Sequence, residues 1–246
     1  MSQIRRGFTL IEVSFFLAIS GLLFVGIAVG VQNSVYRQRY NDSVQSFAEF
    51  LRGVYAEVLN VQSSDSGGRT NRAIYGKLVT FGENAESGDD SNRNTAYVYD
   101  VAGKATTEIS NGGIIGILGA LEAGVVDGDN NFMGIVESYT PKWEAKIEKT
   151  DAFTTLKGSL LVVRHPRSGT VHTFYAEDFA PKIFSNPGNG GEFRSNLSNF
   201  KSEQVDFCIA TADQTSGHRM DVRIKAGATG AAGIEVIDDN GNECDK

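Results

Sequence analysis

Residues 8–31 of this 246-residue chain form an apolar run with one charge, Glu12, and no proline. Leu, Ile, Phe and Val dominate it, with Gly21, Gly26 and Gly30 interspersed. A helix of about 20 apolar residues crosses a bilayer, whereas the apolar core of a secretory signal is only about 7–15 residues long. The run is too long for such a signal and is expected to be a single membrane anchor. Arg5 and Arg6 precede it, but Arg37 and Arg39 follow it, so flanking charge alone barely orients it. Long C-terminal domains translocate largely regardless of charge. A cysteine pair in the last quarter of the chain also favours an oxidising side. The N-terminus is therefore expected in the cytoplasm.

Glu12 is the anomaly in this run. A charged side chain deep in hydrocarbon costs roughly 2.5–3.5 kcal/mol on insertion scales, and less near a helix end. Either it is a tolerated interfacial glutamate, or it needs a positive partner in the membrane or in a packed bundle. The helix supplies no cation, because Arg37 lies far along the axis at about 1.5 Å rise per residue. A partner is expected from another chain.

The stretch Arg5-Arg6-Gly7-Phe8-Thr9-Leu10-Ile11-Glu12, followed by the uninterrupted apolar run, resembles the signal of type IV pilins and the related pseudopilins. The resemblance is close over residues 5–31 and rests on architecture beyond them. It implies that a prepilin peptidase cuts between Gly7 and Phe8 on the cytoplasmic side. The basic pair Arg5 and Arg6 then belongs to a leader of residues 1–7, and Phe8 becomes an N-methylated terminus. Glu12 is implied to pair with the new terminal amine of a neighbouring subunit as it enters the filament. The cut itself creates this amine. One departure concerns residues 24–30, where many pilins carry a helix-breaking proline. Here the segment reads Phe-Val-Gly-Ile-Ala-Val-Gly. Gly26 and Gly30 soften the helix instead, at about 1 kcal/mol each against Ala. They also form a GxxxG spacing, for which plain lipid-facing glycines are the simpler reading.

Helical periodicity continues past the apolar run. Tyr36, Tyr40, Val44, Phe47, Leu51, Val54 and Val58 recur at steps of three and four, with Gln38, Asp42, Gln45, Glu49 and Arg52 between them. Such a stripe must bury against something. One helix is expected over 8–59, ended by the Ser/Gly-rich residues 63–68. The segments 73–81, 95–101, 156–164, 170–175, 205–210, 220–225 and 233–237 read as strands, and 165–169 as the turn of a hairpin. Met220, Val222 and Ile224 alternate with Asp221 and Arg223 as a half-buried strand should. Residues 82–94 read as a polar loop, and 112–124 resist assignment. A helix followed by consecutive strands gives an α+β fold, the helix laid on an antiparallel sheet. The pilin resemblance implies the same shape. The expected organisation is a leader, 1–7; a transmembrane and filament-core helix, 8–31; an amphipathic spine helix, 32–60; and an extracytoplasmic β-rich domain, 61–246.

The two cysteines, Cys208 and Cys244, admit a disulfide, free thiols or half of a metal site. No CxxC spacing or nearby His pair supports metal. If the domain lies outside the cytoplasm, a disulfide is the natural reading, worth about 3–4 kcal/mol by loop closure. His165, His172 and His218 are scattered, and none has metal-ligand spacing. Cys208 with His218 is imaginable as a nucleophile and base, but the disulfide is the stronger reading. No catalytic constellation or phosphate-binding loop is present in the sequence, so no enzyme and no cofactor are expected. The acidic stretches 127–131 and 238–243 hold open a calcium site, although neither has the spacing of an EF-hand loop. The sole Trp, Trp143, is a surface binding anchor or, by default, a core residue. The net charge of -7 argues against a general polyanion binder. A local cluster of Lys142, Lys146, Lys149, Arg164 and Arg167 would still favour nucleic acid.

Together these readings favour a structural subunit of a type IV filament over a tethered binding module or enzyme. Size and long loops lean towards a minor pilin. A pseudopilin of type II secretion and a filament-borne adhesin or DNA-binding module are the alternatives. The implied partners are copies of itself and other pilins, the prepilin peptidase, the assembly platform and the membrane. The implied location is single-pass in the cell membrane, then an extracellular or periplasmic filament.

Overall fold

A computed structural model describes residues 9–60, 72–82, 94–104, 121–123, 125–126, 132–133, 137–148, 156–165, 168–177, 197–210, 220–237 and 244. The chain divides into two compact units, Met1–Asp42 and Ser43–Lys246. One helix, α1 (Leu10–Leu59), runs unbroken through the boundary. Its 50 residues give a rod about 75 Å long. No proline interrupts it, and every interior backbone group is satisfied within the helix, as hydrocarbon requires.

Among the described residues, the apolar side chains of α1 from Leu10 to Tyr36 are exposed. Leu10, Phe15, Phe16, Leu22, Phe24 and Ile27 are all more than half exposed. This helix is long and apolar enough to cross a membrane. The stripe read from the sequence starts one step late in the structure: Tyr36 is 62% exposed, and burial begins at Tyr40. From there Val44, Phe47, Leu51, Val54, Tyr55 and Val58 are buried, because the strands come up against this face.

The second unit carries twelve strands among the described residues: β1 (Arg72–Phe81), β2 (Ala96–Lys104), β3 (Leu121–Ala123), β4 (Val125–Val126), β5 (Phe132–Met133), β6 (Glu137–Tyr139), β7 (Lys146–Glu148), β8 (Gly158–Arg164), β9 (Val171–Glu177), β10 (Val205–Ala210), β11 (Met220–Ile224) and β12 (Ile234–Ile237). The larger sheet has the order β3-β2-β1-β8-β9, with β6 also on the β2 edge. The second has the order β12-β11-β10-β7, and β4 pairs with β5 alone. Every pairing is antiparallel. This is the expected α+β class, a long apolar N-terminal helix followed by antiparallel sheet.

Seven strands fall where the apolar alternation placed them. The β8–β9 hairpin closes as expected, with the His165 N–H donating to the Thr170 carbonyl at 2.7 Å and the Gly169 N–H to the His165 carbonyl at 2.9 Å. Gly169 has φ 72, which suits glycine in this turn. Five short strands, β3 to β7, were not legible. Two or three residues carry no periodicity, and only pairing with β2, with β10 or, for β4 and β5, with each other makes them strands. The loop read over 82–94 lies outside the described residues at 83–93, as does 63–68. The helix ends at Leu59, before that Ser/Gly segment. There the Arg164 guanidinium donates to the Leu59 carbonyl at 2.9 Å, a cation on the exposed C-terminal carbonyls.

Both sheets meet α1 in one aromatic core. Phe47 packs against Phe81 of β1, Tyr139 of β6 and Phe207 of β10, with ring centroids 6.3, 5.7 and 5.6 Å apart. Phe50 stacks on Tyr139 at 4.5 Å. Lys77 lies on the same face of β1 as Phe81 and reaches both Glu57 of the helix and Asp100, its partner across β2, at 2.8 Å each.

One sequence reading of β11 needs correction. Its two faces do alternate, but the polar face is not open to solvent: Asp221 has no exposed surface. β11 lies between β10 and β12, and Arg223 joins Asp206, opposite it on β10, to Asp221, two residues back on its own face. Arg223 offsets one of the two carboxylate charges and hydrogen-bonds both, which lowers the cost of covering this face.

Candidate functional site

The residues singled out at the N-terminus fall into two groups. Arg5, Arg6, Gly7 and Phe8 lie outside the described residues. Glu12 is in the first turn of α1, where it has hydrogen-bond donors that the expectation of a cationic partner left out. The backbone N–H and the hydroxyl of Thr9 both donate to Glu12 Oε2 at 2.9 Å. The Glu12 N–H points back to Thr9 Oγ1 at 3.4 Å. This is a capping box, with Thr9 as the cap and Glu12 three residues on. The carboxylate also lies at the positive end of the helix dipole. The signature Thr-x-x-Glu before an apolar run was readable from the sequence, and Thr9 is the residue that was missed.

Cys208 and Cys244 are joined in a disulfide, with Cα atoms 5.5 Å apart and both residues buried. This removes Cys208 as a nucleophile, and His218 lies outside the described residues. His165 accepts a hydrogen bond from the Ser168 N–H at 3.1 Å through Nδ1, a turn-closing role. His172 lies beside Phe174 on β9, ring centroids 6.4 Å apart. Among the described residues no three His, Cys, Asp or Glu side chains are placed to hold a metal ion. The acidic stretches 127–131 and 238–243 lie outside the described residues.

The basic residues do not form one patch. Lys149 and Arg167 lie outside the described residues. Lys142 and Lys146 flank the turn between β6 and β7, which follows Tyr139 at the Gly158 end of the large sheet. Arg164 is at the other end of β8, which is seven residues long and therefore spans about 20 Å. There it caps α1.

Trp143 is not a core residue. It is 53% exposed, at the tip of the β6–β7 turn. Trp143 and Glu144 have φ 59 and 57, and the Ala145 N–H donates to the Lys142 carbonyl at 3.2 Å. Two positive φ values inside such a closed turn normally call for Asn-Gly. Side chains with a Cβ cost about 1–2 kcal/mol each there. The rings of Phe50 and Tyr139 hold the base of this turn against the helix.

Comparison with models of known protein families, with curated proteins and with solved structures finds no match.

Proposed function

We propose that this chain is a structural subunit of a type IV pilus or pilus-like filament, assembled through the first half of α1. The observation that carries the reading is the division of labour along one helix. The apolar stripe from Val44 to Val58 is buried in the β domain, and among the described residues the apolar side chains from Leu10 to Tyr36 are exposed. A membrane covers such a surface in the free subunit, and the same surface on neighbouring copies covers it in a polymer.

The resemblance of residues 5–12 to the prepilin signal supports the same reading. Glu12, held at the helix N-terminus by Thr9, is then placed to exchange these local donors for the terminal amine of a neighbour. The disulfide fits a domain on the oxidising side of the membrane. The subunit is single-pass with a cytoplasmic N-terminus before assembly. It then stands in an extracellular or periplasmic filament with itself and other pilins, after handling by prepilin peptidase and the assembly platform. A minor pilin is the favoured rank, and a pseudopilin of type II secretion would use the same chemistry.

N-terminal sequencing of protein extracted from membranes is the direct test. The expected terminus is N-methylated Phe8. An intact Met1, or a cut near residue 30, would overturn the reading.

A further inference from the structure

α1 is unbroken from Leu10, so distances along its axis in the first unit follow from the helical rise of about 1.5 Å per residue. A carboxylate is driven out of hydrocarbon, which places the boundary of the apolar layer beside Glu12. A hydrocarbon layer of about 30 Å that begins at Val13 ends near residue 33. Tyr36 and Arg37 then stand about 5 and 6 Å further along, inside a headgroup layer about 5–8 Å deep. A tilt of about 20° moves this boundary by only about one residue. If the hydrocarbon ends at Val31 instead, Arg37 is about 9 Å out, and its long stem spans the difference.

Between Glu12 and Asp42 the only charged side chains are Arg37 and Arg39. Both are exposed, and Tyr36 is 62% exposed. With the N-terminus in the cytoplasm, these arginines stand on the far side of the membrane. Basic residues near a span are enriched on the cytoplasmic side, so their place here runs against the rule. A phenol and a guanidinium at headgroup depth, with no acid before Asp42, match a negatively charged lipid surface.

We infer that Arg37, with Tyr36 beside it, binds the headgroup phosphate of an anionic phospholipid in the far leaflet of the bilayer that holds α1. This rests on the reading of residues 8–31 as a membrane anchor with a cytoplasmic N-terminus. The guanidinium presents paired N–H donors that match two phosphate oxygens. The phenol has an apolar ring and a polar hydroxyl, the combination that collects at this depth. A zwitterionic headgroup carries its own cation beside the phosphate, so a lipid with net negative charge is preferred. Arg39, about 3 Å further along the axis, adds to the positive field. The contact holds the rod at one height, with Glu12 at the cytoplasmic boundary, where the amine of a neighbour can reach it.

The full chain is reconstituted in phosphatidylcholine vesicles with a trace of phosphatidylglycerol or phosphatidylcholine spin-labelled near the end of one acyl chain. The share of label immobilised against the protein measures which lipid it prefers. The wild type is expected to prefer phosphatidylglycerol about three- to fivefold. Arg37→Gln is expected to lower this preference about twofold or more, and Arg37→Lys to keep most of it. Arg5 and Arg6 are present in every variant, so the differences isolate Arg37. A preference unchanged in Arg37→Gln, or lost as fully in Arg37→Lys, overturns the inference. Flotation of the same vesicles on a density gradient reads the anchor separately. A chain that floats without this preference sinks the inference alone. A chain that does not float sinks the anchor reading and the inference with it.

Discussion

The hydroxyl of Tyr55 lies 2.7 Å from Oγ1 of Thr173, and Thr173 in turn donates to the Ala228 carbonyl at 2.7 Å. Thr173 has one hydroxyl proton and gives it to Ala228, so Tyr55 is the donor in the first bond. The relay joins the helix to β9 of one sheet and to the loop before β12 of the other. Tyr55→Phe removes one donor and should cost about 0.5–1.5 kcal/mol. Thr173→Val leaves two buried groups without a partner, at about 1–3 kcal/mol each, and should cost more. In the Thr173→Val background, Tyr55→Phe should cost less than in the wild type. Denaturant unfolding of the four proteins tests this, and strictly additive losses would sink the relay.

Stability should fall at alkaline pH, and the sign follows from two groups. Burial pushes the Tyr55 hydroxyl up to about 12, against a smaller lowering by Thr173. For Lys77, burial alone would lower its pKa, but the carboxylates of Asp100 and Glu57 raise it further than burial lowers it. Both groups therefore hold their protons more tightly in the folded state. The contribution of Tyr55 is complete below about pH 10 and is lost as pH rises through about 12, and Lys77 acts in the same direction. Denaturation midpoints measured across this window should drop steeply for the wild type and less steeply for Tyr55→Phe. Parallel losses in the two proteins would contradict a buried neutral Tyr55.

Reduction of Cys208–Cys244 should destabilise the second unit by about 3–4 kcal/mol, from the loop closed over a separation of 36 residues. Thermal unfolding with and without reductant measures the loss. The mass should rise by two hydrogens on reduction, and an unchanged mass would show that no bond had formed.

Two glycines should respond in opposite directions. A Cβ at Gly76 would lie 2.3 Å from the Val162 carbonyl oxygen and 2.9 Å from the Val163 Cα, both backbone atoms of the paired strand. Gly76→Ala should cost about 1–3 kcal/mol. Gly53 is on the exposed face of α1 with nothing within 4 Å of its added Cβ. Gly53→Ala should stabilise by about 0.5–1 kcal/mol. Thermal denaturation decides both, and matching signs would contradict the packing.

Glu12→Val should leave cleavage at Gly7–Phe8 largely intact but abolish incorporation into filaments. Glu12→Gln keeps an oxygen that can accept from Thr9 while removing the charge, so it separates capping from charge pairing. Filament yield in sheared fractions is the readout. If Glu12→Gln assembles like the wild type, an ion pair with a neighbour's amine is the wrong mechanism.

Local pattern determined much of this protein. The continuity of α1, the positions of the long strands and the membrane-length apolar run are all written in local pattern, which neighbouring residues set among themselves. Even the capping partner of Glu12 was three residues away. The tertiary structure alone decided where separate segments meet. Strands of two or three residues have no period to read and exist only through pairing. Asp221 is a surface residue by its strand pattern but is buried, because Arg223 and Asp206 converge on one face of the sheet. Trp143 is a core residue by composition but stands at an exposed tip, because β6 and β7 join different sheets and the chain must turn sharply between them. Lys142 and Lys146 stand apart from Arg164 because they lie at opposite ends of the sheet. Closeness in space is set by sheet order, and sheet order is a property of the whole chain.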